Sequence, residues 1–223
     1  MSEIATSIVR LALADTGVEL VASCAIAAYD ARAPKAYRSG VLMPGARGII
    51  VAGSAGPRLW REFRADMDRA PHRWNDPHPY DAFVAGLLAR ADRALDLARV
   101  GFRRFDAAFH APMPVHFVAL AQLVGLGSPG PFGLLIHPEH GPWWALRGAW
   151  LVDADVEPAT SPRPPCTGCA APCIGGWRNA IDSVASATPE VRARCVVGQG
   201  SRYDDDQIGY HYERAATVAR LRG

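Results

Sequence analysis

The chain has 223 residues, 49% of them hydrophobic, which is enough apolar material for one large domain, or a domain with a small appendage, to bury a core without disulfide staples. Its 24 basic and 22 acidic residues leave a net charge of +2, so there is no electrostatic case for a nucleic-acid partner. Arginine supplies nearly all of the basic charge, since Lys35 is the only lysine.

The N-terminal run MSEIATSIVRLALADTGVEL lacks the basic start, long apolar stretch and small-residue cleavage site of a secretory signal. No window reaches the roughly 18–20 apolar residues of a membrane helix. Five cysteines, an odd number with three clustered, fit a reducing compartment better than a disulfide framework. A soluble, cytoplasmic protein with no membrane partner is expected.

In chain order, VELVASCAIAAY (18–29) and GIIVAGS (48–54) read as strands, the second closing in a Gly/Ser/Pro turn. RLWREFRADMDRA follows as a helix. In PYDAFVAGLLARADRALDLARV (79–100), Phe83, Leu87, Leu88, Ala91, Leu95 and Ala98 fall on one helical face. GFRRFDAAFH reads as a strand and VHFVALAQLVGLG as a short apolar helix closed by glycine. GLLI (133–136) and WWALRGAWLVD (143–153) then read as an antiparallel hairpin around the turn HPEHGP.

From 156 to 165 the chain turns proline-rich, VEPATSPRPP, and reads as a boundary. The cysteines lie beyond it. A helix opening at Thr188–Pro189 follows, then Cys195, then a last helix from Asp204–Asp206 with Ile208, Tyr212, Ala215 and Ala219 on one face. The expected fold class is α+β: a mixed body over 1–155 with a mostly antiparallel sheet, and a cysteine-bearing C-terminal appendage over 156–223.

The most informative run is GLGSPGPFGLLIHPEHGPWWALRGAWLVD, residues 125–153. Gly125, Gly127, Gly130 and Gly133 remove the side chain at four of nine backbone positions, so a flat ligand can rest on the loop above Leu134 and Ile136. A tight loop with no ligand fits that pattern equally well. No Gly-Lys-Ser/Thr follows, which excludes a P-loop. The loop leads into a strand rather than out of one into a helix, which excludes a dinucleotide fingerprint.

This run resembles the matching stretch of the epoxyqueuosine reductase and reductive dehalogenase corrinoid enzymes, with a Gly-Leu-Gly loop, an apolar Leu-Leu and the turn Pro138–Glu139–His140–Gly141. It is still more similar to the cobalamin-processing CblC proteins. Their tract G-x-x-IHP-x-x-G-x-W-x-A-x-RG is met by Gly133, Ile136, His137, Pro138, Gly141, Trp143, Ala145, Arg147 and Gly148. LMPGARGIIVAGSAGPRLWREF and NDPHPYDAFVAGLLARA add to the likeness, which spans most of residues 20–150.

The resemblance implies the flavin nitroreductase-like α+β fold and a base-off cobalamin cofactor (vitamin B12). It implies that the corrin sits on the loop at 127–137, seated by Gly127, Ser128, Pro129, Gly130, Phe132, Gly133, Leu134, Ile136 and His137. It also implies removal of the upper axial ligand, by reductive decyanation or by attack of a thiol such as glutathione on an alkyl group. The protein would then mainly orient and activate.

Arg147 matches a CblC arginine associated with glutathione, and a guanidinium suits the peptide's carboxylates. An ordinary exposed strand arginine is the alternative. His110 lies in the neighbourhood where CblC proteins have a histidine, and near the proton-donating Asp of epoxyqueuosine reductases, whose aligned position, about Ala111, holds no Asp; the resemblance makes His110 the expected residue at the reactive face. Cobalamin, a thiol or reductase electron donor, and downstream cobalamin-using proteins are the implied partners.

The same resemblance bears on the cysteines. Epoxyqueuosine reductases carry a two-cluster ferredoxin module after this fold. Here C-x2-C-x3-C-I, formed by Cys166, Cys169, Cys173 and Ile174, followed by Cys195, matches only part of it. Arg163 stands where the first cysteine would be, and the second motif is absent. Cys166, Cys169, Cys173 and Cys195 are therefore the expected ligands of one iron–sulfur cluster or one zinc ion. The alternative is a thiol relic of a degenerate ferredoxin.

Cys24, in an apolar strand, reads as a buried structural thiol. DPHPYD (76–81) nearly spells a cobalt-histidine motif, with Asp81 in place of its glycine, but reads as a helix start. The alternatives to a ligand-removing enzyme are a corrinoid-dependent iron–sulfur reductase, a non-catalytic cobalamin carrier and a flavin reductase.

Overall fold

The computed structural model describes residues 5–108, 115–174 and 189–222. By its internal contacts the chain divides into two compact units, each discontinuous in sequence. The first comprises Met1–Ser54, Asp81–Gly127 and Ala145–Pro162; the second comprises Ala55–Tyr80, Ser128–Trp144 and Arg163–Gly223. No helix among the described residues is long and apolar enough to cross a membrane.

The first unit opens with helix α1 (Ala5–Leu13), whose Ala5, Ile8 and Val9 are buried at helical spacing. Strand β1 (Leu20–Ala25) pairs antiparallel with β2 (Gly48–Ala55), in register from Leu20↔Gly53 to Ala25↔Gly48. The strand expected over 18–29 is shorter than its apolar run. At Ile26 its partner strand ends, the Ile26 N–H donates to Arg47, and the chain coils into α2 (Ile26–Asp30). The single turn α3 (Ser39–Leu42) then leads back to β2.

Helix α4 (Arg58–Arg69) follows β2, and α5 (Pro79–Leu97) runs back to β3 (Phe102–Asp106). The buried stripe of α5 is Val84, Leu88, Ala91 and Leu95; Leu88, Ala91 and Leu95 lie on the expected inner face, whereas Phe83 and Leu87 are only half-buried and Ala98 is exposed. Leu88 packs so closely on Gly148 that a β-carbon there would lie 2.8 Å from its methyl. Helix α6 (Phe117–Leu123) precedes the short strands β4 (Ser128–Pro129) and β5 (Leu135–Ile136), and β6 (Trp144–Val152) is the longest strand.

The main sheet has the order β1-β2-β6-β3, with β3 antiparallel to β6. The expected hairpin between 133–136 and 143–153 does not form. β5 pairs with β4 instead, and β6 is taken up between β2 and β3; a lone His137↔Gly141 bridge joins the two ends of the turn. The proline-rich run is tied down on the first unit. Glu157 accepts from Arg10 and Ser7, its backbone bonds Thr6 and Ser23, and the Thr160 carbonyl and Pro162 close over Gly125.

In the second unit α4 buries Leu59, Trp60, Phe63 and Met67. Trp60 and Phe63 join Trp74, Tyr80 and Tyr210 in an aromatic cluster, with ring centres of contacting pairs 5.0–6.1 Å apart. The C-terminal part holds the short helix α7 (Pro189–Ala193), then α8 (Asp205–Tyr212) and α9 (Arg214–Arg222). The single last helix expected from sequence is thus two. Glu213 leaves the helical region at φ −133°, and the turned-back α9 brings Thr217 against Gly209, where a β-carbon would not fit.

Candidate functional site

The glycine-rich segment becomes a two-stranded ribbon in which Ser128 pairs with Ile136 and Pro129 with Leu135. The Gly130 N–H closes it on the Leu134 carbonyl at 2.8 Å. Gly130 is required there, because a β-carbon would strike Ile136. Gly133, at the tip, has φ +82° and open space where a β-carbon would be.

Side chains alternate along a strand, so Ile136 faces one way and Leu135 and His137 the other. The Ile136 face is closed. Ile136, 1% exposed, and Phe132 form one apolar cluster with Cys173, Cys195 and Val191; Leu134, Cys166, Ile174 and Val197 pack around it. Phe132 and Ile136 therefore support the ribbon from within, while Gly133 and Pro129 stay exposed.

On the other face the Trp144 indole N–H donates to the Leu135 carbonyl at 2.9 Å, and the Trp144 ring meets His137 edge-on at 5.6 Å. His137 is 7% exposed. Its Nδ1 accepts two backbone N–H groups, from Glu139 at 3.1 Å and His140 at 3.2 Å, which fix the following turn. The His140 ring lies 4.6 Å from it and bonds the Ser201 hydroxyl at 2.8 Å through Nδ1. Burial, aided by the neighbouring His140, lowers the His137 pKa from 6.5 to about 4, so the ring is neutral at physiological pH.

The turn is locked from behind. A β-carbon on Gly141 would overlap the Val197 carbonyl, and one on Gly198 the backbone of His140. Arg192, unnoticed in the sequence, completes the lock: it donates to the Pro142 carbonyl at 2.5 Å and stacks on Trp143 and Tyr203. The signal that could have found it is weak, namely Val191 and Cys195 spaced four apart around it.

The four C-terminal thiols do converge. Cys166 and Cys169 close a turn at Gly168 (φ +79°), with the Cys169 N–H on the Cys166 carbonyl, and the Cys169 sulfur accepts from Ala171 N–H at 3.3 Å. Burial, then the neighbouring thiols, raise the pKa values of Cys166 and Cys195; burial leads for Cys173 too. All four are free thiols. Yet no group of three or more His, Cys, Asp or Glu among the described residues is arranged to hold a metal ion. The expectation of zinc or iron–sulfur at Cys166, Cys169, Cys173 and Cys195 finds no support there, and Cys173 and Cys195 pack among apolar side chains.

In the first unit Arg147 is buried rather than exposed. Its Nε donates to the Ser54 hydroxyl at 2.9 Å, beside a hollow of about 10 Å³ lined in part by Asp81, Asp106 and Leu88. That hollow has room for a water and not for a thiol peptide. His110 lies outside the described residues. Cys24 is buried as expected, its pKa raised by burial to about 11.

No protein-family profile matches the chain, and no curated protein matches it. Solved structures do. A B12-trafficking protein CblC of C. elegans superposes with a TM-score of 0.70 at 14% identity, over 98% of this chain and 94% of that one. The chain has the CblC fold. An epoxyqueuosine reductase matches at TM-score 0.61 and 14% identity over 89% of the chain, and that of Streptococcus thermophilus at 0.52 and 15% over 88%. The chain spans 66% and 54% of those two reductases, against nearly the whole of CblC. The α+β CblC fold inferred from the order of sequence motifs is thus present.

Proposed function

We propose that the chain binds base-off cobalamin on the ribbon at 127–137 and removes its upper axial ligand, by decyanation or thiol-dependent dealkylation. The observation that carries this reading is the ribbon itself: closed by a hydrophobic cluster on one face, bare at Gly133, and presented by a chain with the CblC fold. The residues fit such a group. Gly133 leaves space for a flat ring to approach the backbone, and the exposed Pro129 shares the ribbon face of Leu135, away from the apolar cluster.

Bound cobalamin supplies the cobalt–ligand bond that is broken. The chain's own part is to seat the corrin on Pro129, Gly130 and Gly133, with Phe132, Leu134 and Ile136 as a rigid base, and to keep the turn after His137 fixed. Arg147, buried on Ser54, serves this reading better as a rigidifying strand residue than as a direct hold on glutathione. The thiol, or a reductase in its place, is the proposed source of electrons, and cobalamin-using proteins the proposed recipients of the product.

The test is an absorption spectrum of the purified protein before and after addition of methylcobalamin or cyanocobalamin. A base-off shift followed by spectral change on adding glutathione supports the enzyme. A shift with no turnover under thiol or reductant makes the chain a carrier. Absence of any shift, with a flavin or iron–sulfur band in the protein as purified, overturns the reading in favour of a reductase.

A further inference from the structure

The ribbon's two faces are chemically unlike, and this says more about what it holds. The Ile136 face is filled by the thiol cluster, so a ligand has only the opposite face, which carries Leu135, His137 and Trp144. On that face the one polar side-chain atom of the ribbon without a described partner is Nε2 of His137. Its Nδ1 lone pair is already shared by the N–H groups of Glu139 and His140.

An imidazole that accepts at Nδ1 and is neutral must carry its proton on Nε2. Nε2 is therefore a donor and has no lone pair to give a metal. His137 keeps 7% of its surface exposed, and no hydrogen bond of Nε2 is described. Resting on the reading above, we infer that His137 Nε2–H is the hydrogen-bond donor by which this ribbon recognises a neutral carbonyl oxygen, a carboxamide on the rim of the corrin, and that His137 is not a cobalt ligand.

A neutral acceptor matches the surroundings. The groups packed against His137 are the His140 ring, held by Ser201, and the Trp144 ring; the Glu139 side chain projects from the same turn into solvent. None of these is a fixed cation, so a carboxylate ligand would be desolvated here without a counter-charge. A carbonyl accepting from a neutral N–H carries no such cost.

The two nitrogens can be separated by substitution. In His137→Asn the side-chain oxygen stands in for Nδ1 and keeps the turn, but no atom replaces Nε2–H. In His137→Gln the amide N–H replaces Nε2–H and the turn acceptor is lost. The ligand to use is cobinamide, which keeps the corrin carboxamides and lacks the lower base, so rim recognition is read alone.

His137→Asn is expected to weaken cobinamide binding by about five- to tenfold, the worth of one hydrogen bond, with little change in thermal stability. His137→Gln is expected to retain more affinity and lose more stability. On the unmodified chain, ¹⁵N NMR of the imidazoles, assigned by the loss of one signal in His137→Asn, should show the proton on Nε2 throughout pH 5–8. Cobinamide affinity should stay flat over the same range.

A folded His137→Asn that binds cobinamide like the unmodified chain overturns the inference and leaves the proposed function standing. So does a proton on Nδ1, or affinity that changes as the ring titrates near pH 6.5; both are read on the unmodified chain and need no variant to fold. An unmodified chain that binds no cobinamide and no cobalamin overturns the proposed function itself, and this inference with it.

Discussion

The guanidinium of Arg192 lies 4.6 Å from the ring centre of Trp143, and no carboxylate among the described residues pairs with it. It is 8% exposed, so its charge is balanced by the faces of Trp143 and Tyr203 and by the Pro142 carbonyl. Arg192→Met should cost about 2–3 kcal/mol, since it removes a charge-assisted bond to a buried carbonyl along with the ring contacts. Arg192→Lys should recover little, because the stacked planar fork has no counterpart in an ammonium. Denaturant unfolding of the two variants beside the unmodified chain gives both numbers.

Gly141 and Gly198 hold the same turn by having no side chains. A β-carbon on either meets main-chain atoms of the opposite segment, and both residues lie at positive φ, +57° and +75°. Gly141→Ala should therefore cost about 3 kcal/mol or more. Gly133→Ala is the control: its φ of +82° strains alanine, but nothing stands in its way, so a loss of about 1–2 kcal/mol is expected. Melting temperatures in that order confirm the argument; equal losses at the two sites refute it.

Protonation should loosen the same region. The His137 pKa is depressed in the folded chain, to about 4 against 6.5, so between those values the unfolded chain takes up a proton that the folded one does not. Stability from this group is complete above pH 6.5 and is lost as pH falls towards 4, by roughly 3 kcal/mol at most. The pH dependence of unfolding in His137→Asn should be shallower than in the unmodified chain over that interval by this amount. Parallel curves would show that His137 makes no contribution.

Thiol labelling should follow burial and acidity. Cys24, fully enclosed in β1 with a pKa near 11, should resist alkylation until the protein unfolds. Cys166 and Cys169 are half-buried and should react first; Cys173 and Cys195 are buried and should lag behind them. Mass spectrometry of a timed alkylation reads the order directly. Loss of the Cys195 lag in Arg192→Met would tie the lock on the turn to closure of the thiol cluster.

In the first unit Asp92 joins helix to sheet, accepting from Arg104 at 2.5 Å and from the Trp150 indole at 2.7 Å. Asp92→Asn exchanges a carboxylate that serves two donors for an amide that can serve only one of them well. A loss of about 2 kcal/mol is expected, for a pair that is about one-fifth exposed on each side. The double variant with Arg104→Met should lose less than the sum of the two single changes, and a strictly additive pair would disprove the coupling.

The local parts of this architecture were legible in the residues. GIIVAGS can only be a buried strand, and Trp60, Phe63 and Met67 mark one side of α4. The CblC fold followed from the order of several short motifs. Pairing was less legible, because the choice of β4 over β6 as the partner of β5 depends on contacts far away in sequence. The break at Glu213 was hidden for another reason: no glycine or proline marks it, and Ile208 and Tyr212 offer a false continuous face. At the site, glycine density announced a bare backbone. Which side of it is free is decided by Cys173 and Cys195, some 40 to 60 residues on, and no local pattern carries that information.

Strand alternation at Leu135, Ile136 and His137 also sets how this segment tolerates change over evolutionary time. A substitution at the exposed Pro129 or Gly133 alters one position and leaves its neighbours where they were. Insertion or deletion of a single residue between Gly130 and Ile136 would instead reverse the segment, driving an imidazole into the thiol cluster and an isoleucine towards Trp144 and His140. Relatives that keep this arrangement should therefore vary in the letters of the loop far more readily than in its length.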